Sequence, residues 1–208
     1  CLNTNFVGGD VRPRQFTDED ILTATQACIL ELGPSVSTTV IAERVGMSQA
    51  ALFKRFGTKE KLFLEALSRP VKDNPITKLL EKGPNDEPIR EQMIKMGEAI
   101  LTVMRRVVPC MAMSHAAGLN PAEHMSGEDS PPIQGRKMLT QWFRLAIEQQ
   151  RVRPFDPHVM AVAFLGMLAG RPFRETILAD TALKCSDHTY VSQVIDVLWA
   201  GIEPEKTS

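Results

Sequence analysis

Between Ile41 and Phe63 the chain reads IAERVGMSQAALFKRFGTKEKLF, with Gly46 standing between two stretches of helical pattern. A chain that stops one helix at a glycine and starts another at Ser48 has to turn a corner within a few residues. Glycine accepts the positive φ that such a corner needs. The Ser48 hydroxyl can cap the first free amides of the helix that follows. Ala42 keeps the first helix slim where the second crosses it. Ile41, Val45, Met47, Leu52 and Phe56 are spaced to close a small core between the two. The pattern is a helix-turn-helix.

Helical periodicity continues on both sides of the corner. Thr17 and the carboxylates of TDED suit a helix N-terminus, Ile21, Ala24, Cys28 and Leu32 recur at helical spacing, and Gly33-Pro34 ends that helix. Ser37 opens the next helix, and Thr58 opens one that runs to about Ser68, ahead of Pro70. Beyond Gly83 the residues Ile89, Met93, Met96, Ile100, Met104 and Val107 keep one face, and Pro109 is expected to break or kink that helix, with a further short one over 110–117. By composition, 119–135 reads as a loop. Helical pattern resumes near Arg136, with Leu139, Trp142, Phe143 and Ala146 on one face. Asp156-Pro157 starts a helix to about Ala169, and a last one spans about 187–201. No strand pattern and no repeat competes. The expected fold is all-α: an N-terminal three-helix unit carrying the helix-turn-helix, followed by a larger helical domain, about nine helices in all.

The second helix of the corner is about 13 Å long at 1.5 Å per residue, which suits entry into a DNA major groove through one face. Gln49, Lys54 and Arg55 are the polar groups it can offer there. Ser48 aims its amide end at a phosphate, and Thr58 and Lys59 begin the next helix beside the backbone. Helix–glycine–helix corners also occur in many proteins that bind no DNA, and basic residues often serve only to solvate a helix. Overall charge does not decide between these, because 24 Lys and Arg stand against 25 Asp and Glu. Only the local basic cluster speaks for nucleic acid.

The longer word STTVIAERVGMSQAALFKRFGTKEKLFLEAL resembles the DNA-binding segment of the tetracycline-repressor (TetR) family of transcription regulators. The resemblance rests on Ile41-Ala42, Gly46-Met47-Ser48, Leu52-Phe53, Phe56, Thr58-Lys59-Glu60 and Leu62, and in the first helix on Ile21-Leu22, Ala24 and Gly33. It is specific over about residues 14 to 67 and architectural beyond them. It implies a DNA-binding domain over 14–68 and a ligand-binding and dimerisation domain over 69–208. It further implies contacts to double-stranded operator DNA from Arg14, Ser37, Thr38, Ser48, Gln49, Ala50, Phe53, Lys54, Arg55, Thr58 and Lys59. The family usually has tyrosine where Phe53 stands, and a small residue followed by threonine where Ala50-Ala51 stands.

DPHVMAVAFLGMLAG is apolar all round, so one face can meet its own domain and the other needs a partner. A deeply buried core helix is the plainer reading. The resemblance implies instead a homodimer in which the last two long helices pack on their twofold mates, here through Leu165, Gly166, Gly170, Val191, Val194, Ile195 and Leu198. Met93, Met96, Met104, Met111, Met113 and Met138 lie between the two ends of the chain, and methionine suits irregular cavities as well as ordinary cores. The resemblance implies an effector pocket in this region. Its candidate walls are Met96, Ile100, Met104, Met111, Trp142, Phe143 and Phe164, with His115 or Glu98 for polarity and 119–135 as a lid. Such walls favour an apolar or aromatic small molecule.

Other functions find little support. The four histidines lack HExxH-type spacing, neither GxSxG nor a P-loop is present, and Cys110, His115 and His124 lack the spacing of a metal site. No cofactor is expected. Four scattered cysteines without a CxxC pair read as free thiols. No membrane partner is expected, because the apolar run Val159–Gly170 is too short to span a bilayer and the opening residues do not form a signal peptide. These features together point to a cytoplasmic protein. The expectation is a ligand-responsive regulator, most simply a repressor released from a palindromic operator. The alternatives are a small all-α enzyme using the Met-rich region and a helical sensor that no longer binds DNA.

Overall fold

The computed structural model describes residues 16–67, 75–116, 118, 120 and 127–202. Arg14, Pro70 and His124, which figure in the sequence reading, lie outside them. Within the described residues every regular element is a helix: α1 (Asp18–Leu32), α2 (Thr38–Val45), α3 (Gln49–Phe56), α4 (Lys59–Leu67), α5 (Pro75–Glu81), α6 (Ile89–Ala116), α7 (Pro131–Glu148), α8 (Pro157–Ile177) and α9 (Asp187–Ile202). None of them is long and apolar enough to cross a membrane.

The first four helices begin where a hydroxyl is available to cap them. Thr17 accepts from the Asp20 amide at 3.1 Å, and the Asp20 carboxylate accepts from the Thr17 amide at 3.0 Å, a reciprocal capping box. Ser37, Ser48 and Thr58 each accept from the amide three residues on, at 3.2 Å. Between α2 and α3, Gly46 sits at φ 83, ψ 35, and its N–H reaches the carbonyls of Ala42 and Glu43. A left-handed residue there closes the end of α2 and turns the chain into α3.

Two apolar cores result. The smaller one joins Ile21, Cys28 and Ile29 of α1 to Ile41 of α2, Leu52 and Phe56 of α3, and Leu62 and Phe63 of α4. The larger joins Met93, Met96 and Leu101 of α6 to Leu139, Trp142 and Phe143 of α7, Phe164 and Leu168 of α8, and Val191 and Ile195 of α9. Helix α6 belongs to both, because its Cys110 is buried in the smaller core. Burial pushes the Cys110 thiol up to about 11, so it is an inert packing group.

Four expectations from the sequence need correction. Pro109 does not break α6, which continues to Ala116. A proline inside a helix costs about 3 kcal/mol. The residues on both sides of this one are anchored, Ile100 and Leu101 in the larger core and Cys110 and Ser114 buried beyond it, and this packing offsets the cost. Helix α8 likewise runs past Gly170 and Pro172 to Ile177. The buried Arg171 holds it there, donating to the carbonyls of Cys185 at 2.7 Å and Ser186 at 3.2 Å and to Glu175 at 2.9 Å. Helix α7 begins at Pro131, five residues before the expected start, because Ser130 is extended and prolines at the first helical positions lack only amides that no helix bond would use. Helix α5 was not foreseen at all.

Candidate nucleic-acid interface

At the corner, the side chains named from the sequence separate into exposed and engaged ones. Ser37, Ser48, Ala50, Lys54 and Thr58 are exposed. Phe53 is 37% exposed, an aromatic ring standing at the surface of α3. Thr38 is buried, and its hydroxyl accepts from the Gln49 amide nitrogen at 2.6 Å, which ties the start of α2 to the start of α3. Arg55 is turned back on its own domain, donating to the Phe16 carbonyl at 2.5 Å and to Asp18 at 3.3 Å. It anchors the start of α1 rather than standing free for a phosphate. Lys59 is half-buried with its ammonium 4.9 Å from the centre of the Phe63 ring, a cation–π contact that fixes the side chain in the first turn of α4.

The chemistry of this surface suits a polyanion. Three helices present capped N-termini within 22 residues of chain, and the positive end of a helix dipole favours phosphate. Lys54 and Lys59 add full charges. The exposed Thr39 and Val40 at the start of α2 belong to the same surface, although sequence reasoning missed them. Their only signal was proximity to the Ser37 cap. Arg44 pairs with Glu31 of α1 at 2.6 Å and leaves this surface.

The effector walls expected from the sequence are not all brought together. Met96, Ile100, Trp142, Phe143 and Phe164 are buried in the larger core, and Met104 packs against them. They fill it by edge-on ring contacts: Phe143 lies 5.4 Å from Trp142, 5.7 Å from Phe155 and 6.0 Å from Phe164, centre to centre. Phe155 was missed by sequence because it stands just before a proline-capped helix. Met111, 37% exposed, and His115, also exposed, stand apart beyond Pro109. Glu98 faces outward and meets the His188 ring at 2.6 Å. One polar atom in this core is unexplained: among the described residues the buried indole N–H of Trp142 has no acceptor. No group of three His, Cys, Asp or Glu side chains among them is placed to hold a metal ion.

The outward faces of α8 and α9 also differ from expectation. Val191 and Ile195 point inward with no exposure, so neither is available to a partner. A β-carbon at Gly97 of α6 would stand 2.6 Å from Val191 Cγ1, which shows how closely α9 lies on α6. Leu165, Gly170, Val194 and Leu198 are half-buried, and Gly166 is exposed with open space around it. The exposed apolar residues of α8 are Val159, Val162, Met167, Phe173 and Ile177; all but Met167 follow, with Gly166, one helical stripe, and Val197 of α9 is 70% exposed.

Comparison with known proteins agrees with this architecture. Residues 21–66 match the family model described as bacterial regulatory proteins, tetR family. Similar solved structures include a protein from Mesorhizobium loti MAFF303099 named for the TetR regulator family, at 17% identity and a TM-score of 0.56, covering 89% of this chain and 96% of that one. They also include the flavonoid-responsive regulator FrrA, at 18% identity and 0.51, covering 90% and 97%. A Clostridium perfringens protein named for regulation of fatty acid metabolism aligns at 15% identity and 0.54, covering 88% and 97%. At these identities the likeness shows the fold. A comparison with curated proteins finds no match.

Proposed function

The chain belongs to the TetR family of bacterial regulatory proteins, and from that premise we propose that it is a cytoplasmic repressor which binds a palindromic operator as a homodimer and leaves it when a small molecule binds. Regulators of this family are typically non-enzymatic. In this reading residues 14–68 form the DNA-binding domain and 69–208 the dimerisation and effector domain. Helix α3 enters the major groove and presents Gln49, Ala50, Phe53 and Lys54. Ser37, Ser48, Thr58 and Lys59 meet the flanking phosphates, and Arg55 orients the unit through Phe16 and Asp18.

The observation that carries the reading is the two-sidedness of α8. Its inner face, through Ala161, Phe164 and Leu168, fills the larger core, while Val159, Val162, Phe173 and Ile177 leave an apolar stripe on the outside. A stripe of that length on a helix already packed on one side suits a second copy of the chain. Dimerisation also meets a need of the DNA-binding unit. One eight-residue recognition helix makes few contacts, and two half-sites about 34–36 Å apart multiply them.

The effector is read as apolar or aromatic, held beside the Phe143–Phe155–Phe164 rings. The unpartnered indole N–H of Trp142 supports a ligand that also carries one hydrogen-bond acceptor. The flavonoid and fatty acid metabolism in the names of two relatives fit that class of molecule.

The test is Val162→Asp. It places a charge on the outer stripe and leaves the core untouched, so the chain should fold but become monomeric by light scattering and lose operator affinity in a binding titration. A variant that stays dimeric with unchanged operator affinity overturns the assembly proposed here.

A further inference from the structure

The face of α7 opposite its buried side carries a second kind of chemistry. Arg136, Thr140 and Arg144 follow one another at intervals of four residues, with Lys137 and Gln141 in the adjoining column. Together with His158 in the first turn of α8 they line a groove of about 390 Å³. The column spans about 12 Å at 1.5 Å per residue. Exposed helix faces ordinarily intersperse acids among such bases, one turn apart. Here no residue from 131 to 147 is acidic.

The charges in the groove are incompletely answered. Lys137 pairs with Glu128. Among the described residues neither Arg136 nor Arg144 has a carboxylate within ion-pair distance. The Arg136 guanidinium faces His158 Nε2 at 3.2 Å, and Arg144 donates to Gln141 Oε1 at 3.0 Å. For Arg136 to donate there, His158 Nε2 has to be unprotonated. The amide end of α8 does not contribute, since the Asp156 carboxylate already accepts from the amides of His158 and Val159. What remains is two guanidiniums, an imidazole, and the Thr140 and Gln141 dipoles converging on one concave surface. Guanidinium groups in this arrangement match the paired oxygens of phosphate or carboxylate.

We infer that this groove is a binding site for a small polyanion bearing phosphate or carboxylate groups, distinct from the nucleic-acid surface and from the apolar core. Arg136 and Arg144 clamp its ends, Gln141 and Thr140 hydrogen-bond between them, and His158 adds a contact from α8. The bound anion bridges α7 to the first turn of α8, next to Val159 on the outer apolar stripe.

The experiment is calorimetric titration of the full chain with sodium pyrophosphate and, separately, sodium citrate, at constant ionic strength with sodium chloride as the matched control. Saturable binding of one anion per chain is expected. Arg136→Gln/Arg144→Gln and the single Arg144→Gln should each weaken it by about tenfold or more, the scale of losing a charge-assisted partner. Lys184→Gln, an exposed cation elsewhere, should leave it unchanged. Preference for pyrophosphate assigns a phosphate-bearing ligand, and preference for citrate a carboxylate-bearing one. Circular dichroism checks the fold, and if the double variant misfolds, Arg144→Gln decides alone, its side chain being exposed. Heats no different from the chloride control overturn the inference, as does equal binding by Arg144→Gln, which would place the anion on the nucleic-acid surface instead.

Discussion

Replacing Gly97 by alanine tests the packing of α6, α8 and α9 at their closest approach. The new methyl would stand 2.6 Å from Val191 Cγ1 and 3.7 Å from both terminal carbons of Leu168. The second distance is ordinary contact. The first is shorter than any real contact of a β-carbon, and the atom in the way belongs to a β-branched, fully buried side chain that cannot swing aside. Overpacking of this kind costs about 1–3 kcal/mol. Alanine regains about 1 kcal/mol over glycine in a helix interior. The net loss should therefore be about 0–2 kcal/mol, a fall of up to about 8 °C in melting temperature for a chain of this length. The decisive measurement is a double-mutant cycle with Val191→Ala, which removes the obstructing carbon. Chemical denaturation of the four proteins should give a favourable coupling of about 1–3 kcal/mol, since the paired change restores room for the methyl. Additivity within about 0.5 kcal/mol would mean that α9 does not press on α6 at Gly97.

Three further outcomes are expected. Gly46→Ala forces a β-carbon into the left-handed region and should cost about 1–2 kcal/mol in a thermal melt, with unchanged stability refuting the corner geometry. Phe53→Tyr adds a hydroxyl to an exposed ring, so it should not lower stability, and it should raise affinity for operator and random DNA alike by about 0.5–1.5 kcal/mol, read by fluorescence anisotropy. The hydrogen bonds of Arg105 hold Asp187 below the usual carboxylate range, so this pairing stabilises the fold above the ordinary carboxylate pKa and is lost as pH falls through the lowered value. Arg105→Gln should thus flatten the acid limb of a stability-versus-pH curve while shifting its neutral part down, and an unchanged acid limb would count against the pairing.

The N-terminal helices were legible because their signals are local. A hydroxyl at 17, 37, 48 and 58 marks where each helix starts, and Gly46 marks the only way to join two of them. The rest depended on tertiary packing that no local signal carries. Pro109 reads as a helix break or kink and the helix after Pro157 reads as ending near Ala169, yet α6 continues through Pro109 and α8 runs past Pro172, each fastened on either side of its proline. In the last helix, Val191, Val194, Ile195 and Leu198 form a plausible apolar stripe, but an element apolar on most of its circumference does not declare which part turns outward. Two of those four proved to be core. The effector walls have a related difficulty: apolar spacing identifies residues that leave water, and a filled core and a ligand cavity satisfy it equally.

Helix α6 has 28 residues, which makes it a rod about 42 Å long. Because its two ends are gripped by different cores, it acts mechanically as a lever. A tilt of about 5° about one end carries the other through about 4 Å. In a twofold assembly that swing occurs twice and in opposite senses, so the gap between the two reading heads would change by up to twice as much. In the assembly proposed here, a modest repacking around the first turns of α6 would therefore be geared up before it reached the DNA. The gearing depends on the rod staying stiff through Pro109, where packing on both sides replaces the missing backbone bond.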